Sequence, residues 1–348
     1  MWWAELLNTI FGTLSSGVAP VVSSTAVAVA GFGSPYVAAY PWDSSTGFGT
    51  KYSDPATGVP NVGRSIAFTP TSNAIAVGHN SSPYVSVYVW SGAGFGSKFA
   101  DAASLITGRA FGVNFTSNAD AIGLAHENSP YMSAYPWSGS GFGTKYSNPA
   151  TLPAGQGSSI SFRSARDVVA LAHASSPYVS AWAWSAGFGT KYSDPATLPT
   201  GDGFSVEFSK AGDLVAVGHD VSPYVSVYPW SAGFGTKYSD PATTPSGAGF
   251  DVAWTSSGNA LAVASGASPY ILVYPWSGGF GSKYANPATL PTSNNNVADF
   301  TNNDDAIVAS SDSSPQILAY PWSVSGFGTK YADPATLPAA QPRGGSFN

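Results

Sequence analysis

The chain has 348 residues, a formal net charge of −6 and no cysteine. Charged residues make up 9% of it, against about 25% in an average soluble protein, so Ser, Thr, Asn and Gly must provide most of the polar surface. The acidic balance argues against nucleic-acid binding, which needs clustered Lys and Arg. The lack of cysteine excludes disulfides and thiol chemistry. We expect no membrane-spanning helix, because no stretch approaches the roughly 18 apolar residues that such a helix needs. We also expect no secretory signal, because no positively charged start is followed by an apolar run and a cleavage site of small residues.

The first 17 residues differ from the rest of the chain. Apolar side chains recur at helical spacing over residues 1–14, with Glu5 and Asn8 on the opposite side, which predicts a short amphipathic helix. Gly12 and Gly17 are typical of a hinge that follows it. The apolar positions of this helix are Trp2, Trp3, Leu6, Leu7, Ile10, Phe11 and Leu14.

Three roles are open for such a helix. It could cap the domain that follows, dock on another protein or a second copy of the chain, or lie in a membrane interface. The two tryptophans suit an interface, but the segment has no Lys or Arg. We therefore expect docking on a larger assembly through the apolar positions.

From residue 18 onward, one phrase recurs seven times. Its second copy covers residues 82–90 and 94–99, and successive copies start 46 to 48 residues apart. A period of this length, made of short alternating runs with turn residues between them, predicts four-stranded blades arranged in a ring. We therefore predict an all-β fold, a seven-bladed β-propeller of antiparallel blades over residues 18–348, preceded by the helix and hinge of residues 1–17.

Each repeat divides into strands that we name A to D. In the second copy, strand A contains residues 65–68, strand B residues 74–79, strand C residues 84–90, and strand D starts at residue 97. Strands B and C carry non-polar residues on both faces, which indicates blades stacked face to face around an axis.

The first repeat has no strand A of its own. In other repeats the aromatic residue of strand A stands nine residues after the last Pro of the Pro-Ala-Thr-Leu-Pro turn. Phe347 stands nine residues after Pro338, the last Pro of the final turn. The sequence therefore predicts that residues 344–347 pair with residues 26–30 and close the ring.

Two kinds of charged or polar residue recur in every blade or nearly so. An Asn or Asp ends the A–B turn, where it can bond to the local backbone. A Lys precedes the aromatic residue of strand D, where it would discourage edge-to-edge association. The turn residues are Asn73, Asp120, Asp167, Asp213, Asn259 and Asp305, and the lysines are residues 51, 98, 145, 191, 237, 283 and 330.

Residues 208–218 and 225–230 together resemble a blade of the WD-repeat family, with a Ser-Pro-Asp-Gly-like turn and a strand that ends in Trp. The resemblance implies the propeller fold. It departs from the family at the Asp after Trp, which survives only as Asp43, and at Gly-His, which ends strand B. The family's hydrogen-bond network is therefore not expected here.

The repeated phrase Ser-Pro-Tyr, Tyr-Pro-Trp, Gly-Phe-Gly-Thr-Lys-Tyr also resembles predicted propeller proteins of tailed bacteriophages. That resemblance implies a virion component with a structural or adhesive role.

Histidine occurs at one equivalent position of four consecutive blades. Geometry argues against a shared metal, because neighbouring copies would lie about 10 Å apart, against metal–ligand bonds of about 2 Å. Two interpretations remain, a local hydrogen bond to a repeated Asp (Asp54, Asp194 or Asp240) and a polar ligand-binding arc. The four residues are His79, His126, His173 and His219.

No catalytic motif stands out. The chain has no Gly-x-Ser-x-Gly elbow before a helix and only three glutamates, although carboxylates from separate blades could still converge. We expect a non-enzymatic structural or binding propeller without cofactor or metal, located in a phage virion and tethered to virion or assembly proteins by its N-terminal helix. The alternatives are a free-standing glycan- or peptide-binding module, a homo-oligomer and, third, a propeller hydrolase.

Overall fold

The computed structural model describes residues 25–348. The predicted helix and hinge over residues 1–17 lie outside the described residues, and so do all seven of the predicted docking positions. Regular structure within residues 25–348 consists of β-strands alone. No helix in that range has the length and apolar character needed to cross a bilayer.

The described chain forms 26 strands of two to seven residues. In chain order, the strands of the first half are β1 (Ala26–Gly31), β2 (Val37–Asp43), β3 (Gly47–Phe48), β4 (Gly63–Phe68), β5 (Ala74–His79), β6 (Val85–Ser91), β7 (Gly94–Lys98), β8 (Ala110–Phe115), β9 (Ala121–His126), β10 (Met132–Ser138), β11 (Gly141–Phe142), β12 (Gly157–Phe162) and β13 (Val168–His173). Those of the second half are β14 (Val179–Trp184), β15 (Phe188–Lys191), β16 (Gly203–Phe208), β17 (Leu214–His219), β18 (Val225–Pro229), β19 (Gly249–Trp254), β20 (Ala260–Ser265), β21 (Ile271–Pro275), β22 (Ala298–Phe300), β23 (Ala306–Ser310), β24 (Ile317–Ser323), β25 (Gly326–Phe327) and β26 (Pro342–Phe347).

These strands form seven antiparallel sheets, one for each repeat. Blade 1 has the order β26-β1-β2-β3, and blades 2, 3, 4 and 7 have four consecutive strands each. In blades 5 and 6 the outer strand is reduced to a single bridge, between Trp230 and Phe234 and between Trp276 and Phe280. The predicted seven-bladed propeller is confirmed.

The hydrophobic core lies between the blades. Seven clusters of buried residues are present in the described chain, and each joins one blade to the next. The cluster between blades 2 and 3, for example, packs Ala76 and Val87 against Leu124 and Trp137. Apolar residues on both faces of strands B and C are thus explained by burial on both sides.

The Trp at the end of strand C packs each blade against the preceding one. The Trp90 ring lies 5.1 Å from Phe95 and 5.1 Å from Phe68 of its own blade, and 5.2 Å from Tyr52 of blade 1. All three contacts are edge-to-face, the favoured geometry for aromatic pairs. Blade 7 contacts blade 1 in the same way, through Tyr331 and Trp42 at 5.2 Å.

The C-terminal strand closes the ring, as predicted. Val27 is paired with Phe347 and Ala30 with Gly344 in the β1–β26 ladder. The last residue reinforces this pairing, because the Oδ1 atom of Asn348 accepts hydrogen bonds from the backbone N–H groups of Thr25 and Ala26 at 2.7 and 2.8 Å.

The repeated Asn and Asp residues fulfil the predicted turn role. In blade 3, the Thr116 hydroxyl donates to Asp120 at 2.6 Å and accepts from the backbone N–H of Ala121 at 3.0 Å. The same arrangement occurs with Thr69 and Asn73 in blade 2.

The repeated lysines are paired rather than free at the sheet edges. In five blades the ammonium group binds the Asp three residues further on, and in the other two it binds an Asn, as in Lys145 to Asn148 at 2.7 Å. Only 12–16% of the side chain of each ion-paired lysine is exposed, against 41–46% for its aspartate partner. These lysines therefore stabilise each blade locally.

Deletion of residues 339–348 should lower the melting temperature by roughly 10 °C or more, since about 1 kcal/mol shifts the transition by 2–4 °C in a domain of this size class. The reason is that the deletion removes the inner strand of blade 1. Scanning calorimetry of the full chain and the truncated chain measures this difference. Asn348→Ala, which removes only the terminal side chain, should cost less, and an unchanged melting curve of the truncated chain would contradict the closure.

Candidate functional site

The inner strands of the seven blades surround a central channel that contains a cavity of about 490 Å³. Residues of strand A from every blade line it. Because equivalent positions of strand A lie at the same height, the lining is made of rings of seven residues. The channel therefore gathers side chains that are 46 to 48 residues apart in the sequence.

Polar side chains in this lining bond the inner strands of neighbouring blades at five of the seven junctions, from blade 3 through blade 7 to blade 1. A backbone N–H of one blade donates to a side-chain oxygen of the preceding blade, because the inner edge of strand A has no neighbouring strand to accept from it. The donor–acceptor pairs are Phe162–Asn114 (3.4 Å), Val206–Ser159 (3.3 Å), Phe208–Ser161 (3.3 Å), Val252–Ser205 (3.3 Å), Trp254–Glu207 (2.8 Å), Ala298–Asp251 (3.1 Å) and Phe347–Asp299 (2.8 Å).

Three of these acceptors are carboxyl groups, in the consecutive blades 5, 6 and 7. Asp251 also accepts from the Ser205 hydroxyl at 2.9 Å and from the N–H of Val252 at 3.0 Å. Glu207 and Asp299 occupy the same position of strand A, two blades apart. The channel thus holds two carboxyl groups at one height, those of Glu207 and Asp299. The third, that of Asp251, makes more hydrogen bonds and lies in the blade between them, two residues earlier along its strand.

The environment of the channel shifts all three carboxyl groups toward the protonated form. Burial raises the pKa of Glu207 to about 8, with Lys210 opposing the rise and Asp299 adding to it. Burial also raises the pKa of Asp251 to about 7 and that of Asp299 to about 6, hydrogen bonds opposing the rise in both. At neutral pH, Glu207 therefore carries a proton and Asp299 is mostly ionised.

One end of the channel has a different character. The second residue of strand A lines the opening in six blades, and Asn296, just before β22, takes the equivalent place in blade 7. We call this set the mouth ring. It contains two arginines, three phenylalanines and no acidic residue. Its members are Arg64, Phe111, Ser158, Phe204, Phe250, Asn296 and Arg343. Lys210 lies beyond the opposite end of strand A.

The four histidines predicted as a ligand-binding arc lie inside the blades. Each is fully buried, and its Nε2 atom is bonded to a Ser of strand C at 3.0–3.1 Å. Burial lowers the pKa of each to about 4. A ligand on the surface does not reach His79, His126, His173 or His219, so the local hydrogen bond is the interpretation we retain.

The partner in that hydrogen bond differs from the predicted one. The predicted Asp residues bind lysines instead, and serines 86, 133, 180 and 226 take their place. In blade 5 the Nδ1 atom of His219 donates to the Val221 carbonyl at 2.8 Å, so Nε2 accepts from the Ser226 hydroxyl at 3.0 Å. The histidines fix strand B to strand C.

Sequence reasoning did not single out the channel residues, although it left open that carboxylates could converge from separate blades. A signal was present in strand A, where Glu207 and Asp299 interrupt a strand of otherwise uncharged residues. Within residues 25–348, no group of three or more His, Asp or Glu side chains is arranged to hold a metal ion. The site is therefore described by its acids, its arginines and its aromatic rings.

The fold and this channel define a seven-bladed propeller with a central candidate site. Solved structures share the fold. A structure named as a putative 6-phosphogluconolactonase from Bacteroides uniformis has a TM-score of 0.71 and 15% identity, and the match covers 93% of this chain and 99% of that one. Another of the same name from Bacteroides fragilis has a TM-score of 0.68 and 11% identity, over 95% and 100%.

A functionally unknown protein from Desulfotomaculum acetoxidans has a TM-score of 0.65 and 11% identity, over 93% of this chain and 99% of that one. No family model matches the sequence, and the search of curated proteins gives no significant match. At these identities the likeness shows the fold alone.

The neighbours correct the expectation of a non-enzymatic phage virion protein. Two of the three are named for an enzymatic activity, and none of the three is named as a virion or adhesion protein. They also give no support to a WD-repeat relationship. The residues of the repeated phrase form the strands, turns and aromatic contacts of each blade. They therefore carry information about the blade design, which propellers of different roles can share.

Asp299→Ala should be less stable than Asp299→Asn by about 1–3 kcal/mol, the usual cost of a buried donor without an acceptor. The cost of burying the carboxylate is absent from both variants and cancels in this comparison. The Ala substitution leaves the N–H of Phe347 in the closing strand unbonded. Asp299→Asn retains an acceptor oxygen, as Asn114 provides for Phe162, and should not show this loss. Urea denaturation of both variants measures the difference, and equal stabilities would refute the role of the hydrogen bond.

Glu207→Gln should change the pH dependence of stability. The folded-state pKa of about 8 lies above the ordinary value of 4.5, so the folded protein retains a proton that the unfolded chain has lost. The stabilising contribution is complete below about pH 4.5 and is lost as the pH rises toward 8. Relative to wild type, the Gln variant should therefore gain stability over this range, on the order of a few kcal/mol at about 1.4 kcal/mol per pKa unit.

Urea denaturation of both proteins at a series of pH values tests this expectation. The histidines lower the stability of both proteins as the pH falls from 6.5 to about 4, and this effect cancels in the difference. Asp213→Asn is the matched control, because it makes the same change of carboxyl to amide in a turn of the same blade. A wild-type-to-Gln difference that does not vary with pH would show that Glu207 is not protonated in the folded protein.

Proposed function

We propose that the chain is an enzyme that hydrolyses a small cyclic ester, such as a sugar lactone, in its central channel. The observation that carries this proposal is the pair Glu207 and Asp299. These two carboxyl groups face one cavity at the same height, and their pKa values of about 8 and about 6 lie on either side of neutrality. Such a pair supplies an acid and a base at the same pH.

The reaction follows from those two protonation states. The Asp299 carboxylate takes a proton from a water molecule, whose oxygen adds to the carbonyl carbon of the ester. The bond between that carbon and the ring oxygen then breaks, and the ring oxygen takes the proton of Glu207. Proton exchange with solvent through the channel returns both groups to their starting states.

Three further observations support the proposal. The cavity of about 490 Å³ lies within the range of small-molecule sites, about 300–1,000 Å³. Lys210 lowers the pKa of both Glu207 and Asp299 and so helps Glu207 to release its proton. The structural neighbours named for a lactonase activity share the propeller on which this channel is built.

The test is hydrolysis of δ-gluconolactone and of 6-phosphogluconolactone, followed by NMR against the spontaneous rate in the same buffer. We expect acceleration by the full chain and a bell-shaped pH profile with limbs near the two pKa values. Glu207→Gln and Asp299→Asn should each lower kcat/KM by roughly 100-fold, the size of an acid–base contribution.

Asp213→Asn is again the matched control and should retain the full rate. Its carboxyl group lies in the same blade as Glu207 but serves the A–B turn, where blades 2 and 6 have Asn. Neither lactone reacting faster than in buffer, or an undiminished rate in a Glu207→Gln/Asp299→Asn double variant, would overturn the proposal.

A further inference from the structure

Two arginines of the mouth ring have no acidic partner. Arg64 donates from Nε to the amide oxygen of Asn80 at 2.8 Å. Arg343 donates to the amide oxygens of Asn296 at 2.9 Å and Gln341 at 3.3 Å. All of these acceptors are neutral, so the positive charges of both guanidinium groups are uncompensated by an ion pair.

The other arginines of the chain show that this is a local property of the mouth. All five arginines lie within residues 25–348. Arg109 binds both carboxylate oxygens of Glu127, Arg163 pairs with Asp167, and Arg166 pairs with Asp120. Ion pairing is thus the rule where an arginine does not line the channel.

The two unpaired guanidinium groups also lie over the same aromatic ring. Arg64 lies 5.2 Å and Arg343 lies 4.9 Å from the centre of the same Phe32 ring. Burial together with the neighbouring charges of Arg109 and Arg343 lowers the pKa of Arg64, and the Glu127 carboxylate, which is already paired with Arg109, opposes this change. The Nε atom of Arg343 is buried and has no hydrogen-bond partner. The like charges of the two guanidinium groups cost free energy, and an anion bound beside them would offset this cost.

The opposite side of the mouth ring is apolar. Phe204 and Phe250, from blades 5 and 6, line the cavity with their rings 5.5 Å apart at an angle of 36°. Both rings are half-buried, and aromatic side chains that remain accessible at a cavity are suited to pack against a flat or apolar ligand group. The mouth therefore combines an anion-binding side with an apolar side.

We propose that the mouth ring binds a ligand with an oxyanion, phosphate or carboxylate, next to a flat apolar group, with the anion on Arg64 and Arg343 and the apolar group on Phe204 and Phe250. This inference rests on the proposed function only in placing the ligand in the central channel. Stacking on Phe32 alone would not explain the missing acidic partners, since Arg109 also lies over an aromatic ring, 5.4 Å from the centre of Phe111, and has Glu127.

Calorimetric titration of the full chain with phenyl phosphate, benzoate, inorganic phosphate and phenol tests the proposal. We expect phenyl phosphate or benzoate to bind more tightly than inorganic phosphate, and phenol not to bind. The tighter of the first two identifies the oxyanion. Arg64→Gln and Arg343→Gln should each weaken the tighter probe by about 10-fold or more, as expected for loss of a charge-assisted pair.

Three further variants separate the two halves of the mouth. A Phe204→Ala/Phe250→Ala variant should weaken phenyl phosphate but leave inorganic phosphate unchanged. Arg64→Lys, which keeps the charge, should retain part of the affinity. Arg166→Gln is the matched control and should bind like wild type, because its guanidinium group pairs with Asp120 away from the mouth ring.

Failure of all three oxyanions to bind, or equal binding by the wild type and by an Arg64→Gln/Arg343→Gln variant that melts like wild type, would overturn the inference. Arginine-dependent binding of an oxyanion without hydrolysis of either lactone would instead overturn the proposed function and leave the mouth site standing.

Discussion

The innermost strand of each blade has one edge that faces the channel, and no other strand can cover it. Its N–H groups must find acceptors elsewhere, because an unbonded buried donor costs about 1–3 kcal/mol. Side chains of the preceding blade provide these acceptors at seven places in the described chain. The requirement places side-chain oxygen atoms along the channel and links neighbouring blades from blade 3 through blade 7 to the closing strand β26.

The same requirement explains why a chemically competent channel exists. A hydroxyl or an amide is sufficient for the bond, since Ser161 and Asn114 make it in the blades that precede Glu207. Carboxyl groups at positions 207, 251 and 299 exceed what the bond needs, and burial raises the pKa of each, so their ionised forms are disfavoured in the channel. A residue that lowers stability where a less costly residue could make the same hydrogen bond is one for which a functional reason is expected.

The sequence is informative about the fold because the fold depends on what the repeats share. The Trp of strand C, the turn residues and the spacing from Pro338 to Phe347 recur, and they predict the blades and the closure. The same emphasis on shared residues pointed to the histidines, which the structure buries within the blades. The channel residues differ from blade to blade, as Ala67, Ser161 and Glu207 do at one height. No repeat pattern can identify them before the strands are placed around a common axis.

The charges of the channel are arranged along its length. Arg64 and Arg343 make the mouth positive, although the chain as a whole carries a formal charge of −6. Three fully ionised carboxyl groups below them would repel an anionic ligand, but protonation of Glu207 and, in part, of Asp251 at neutral pH reduces that repulsion. An anionic group is therefore most stable at the mouth, which directs the rest of the ligand inward to the height of Glu207 and Asp299. The burial that keeps Glu207 protonated thus agrees with both proposals, the binding of an anion and the donation of a proton.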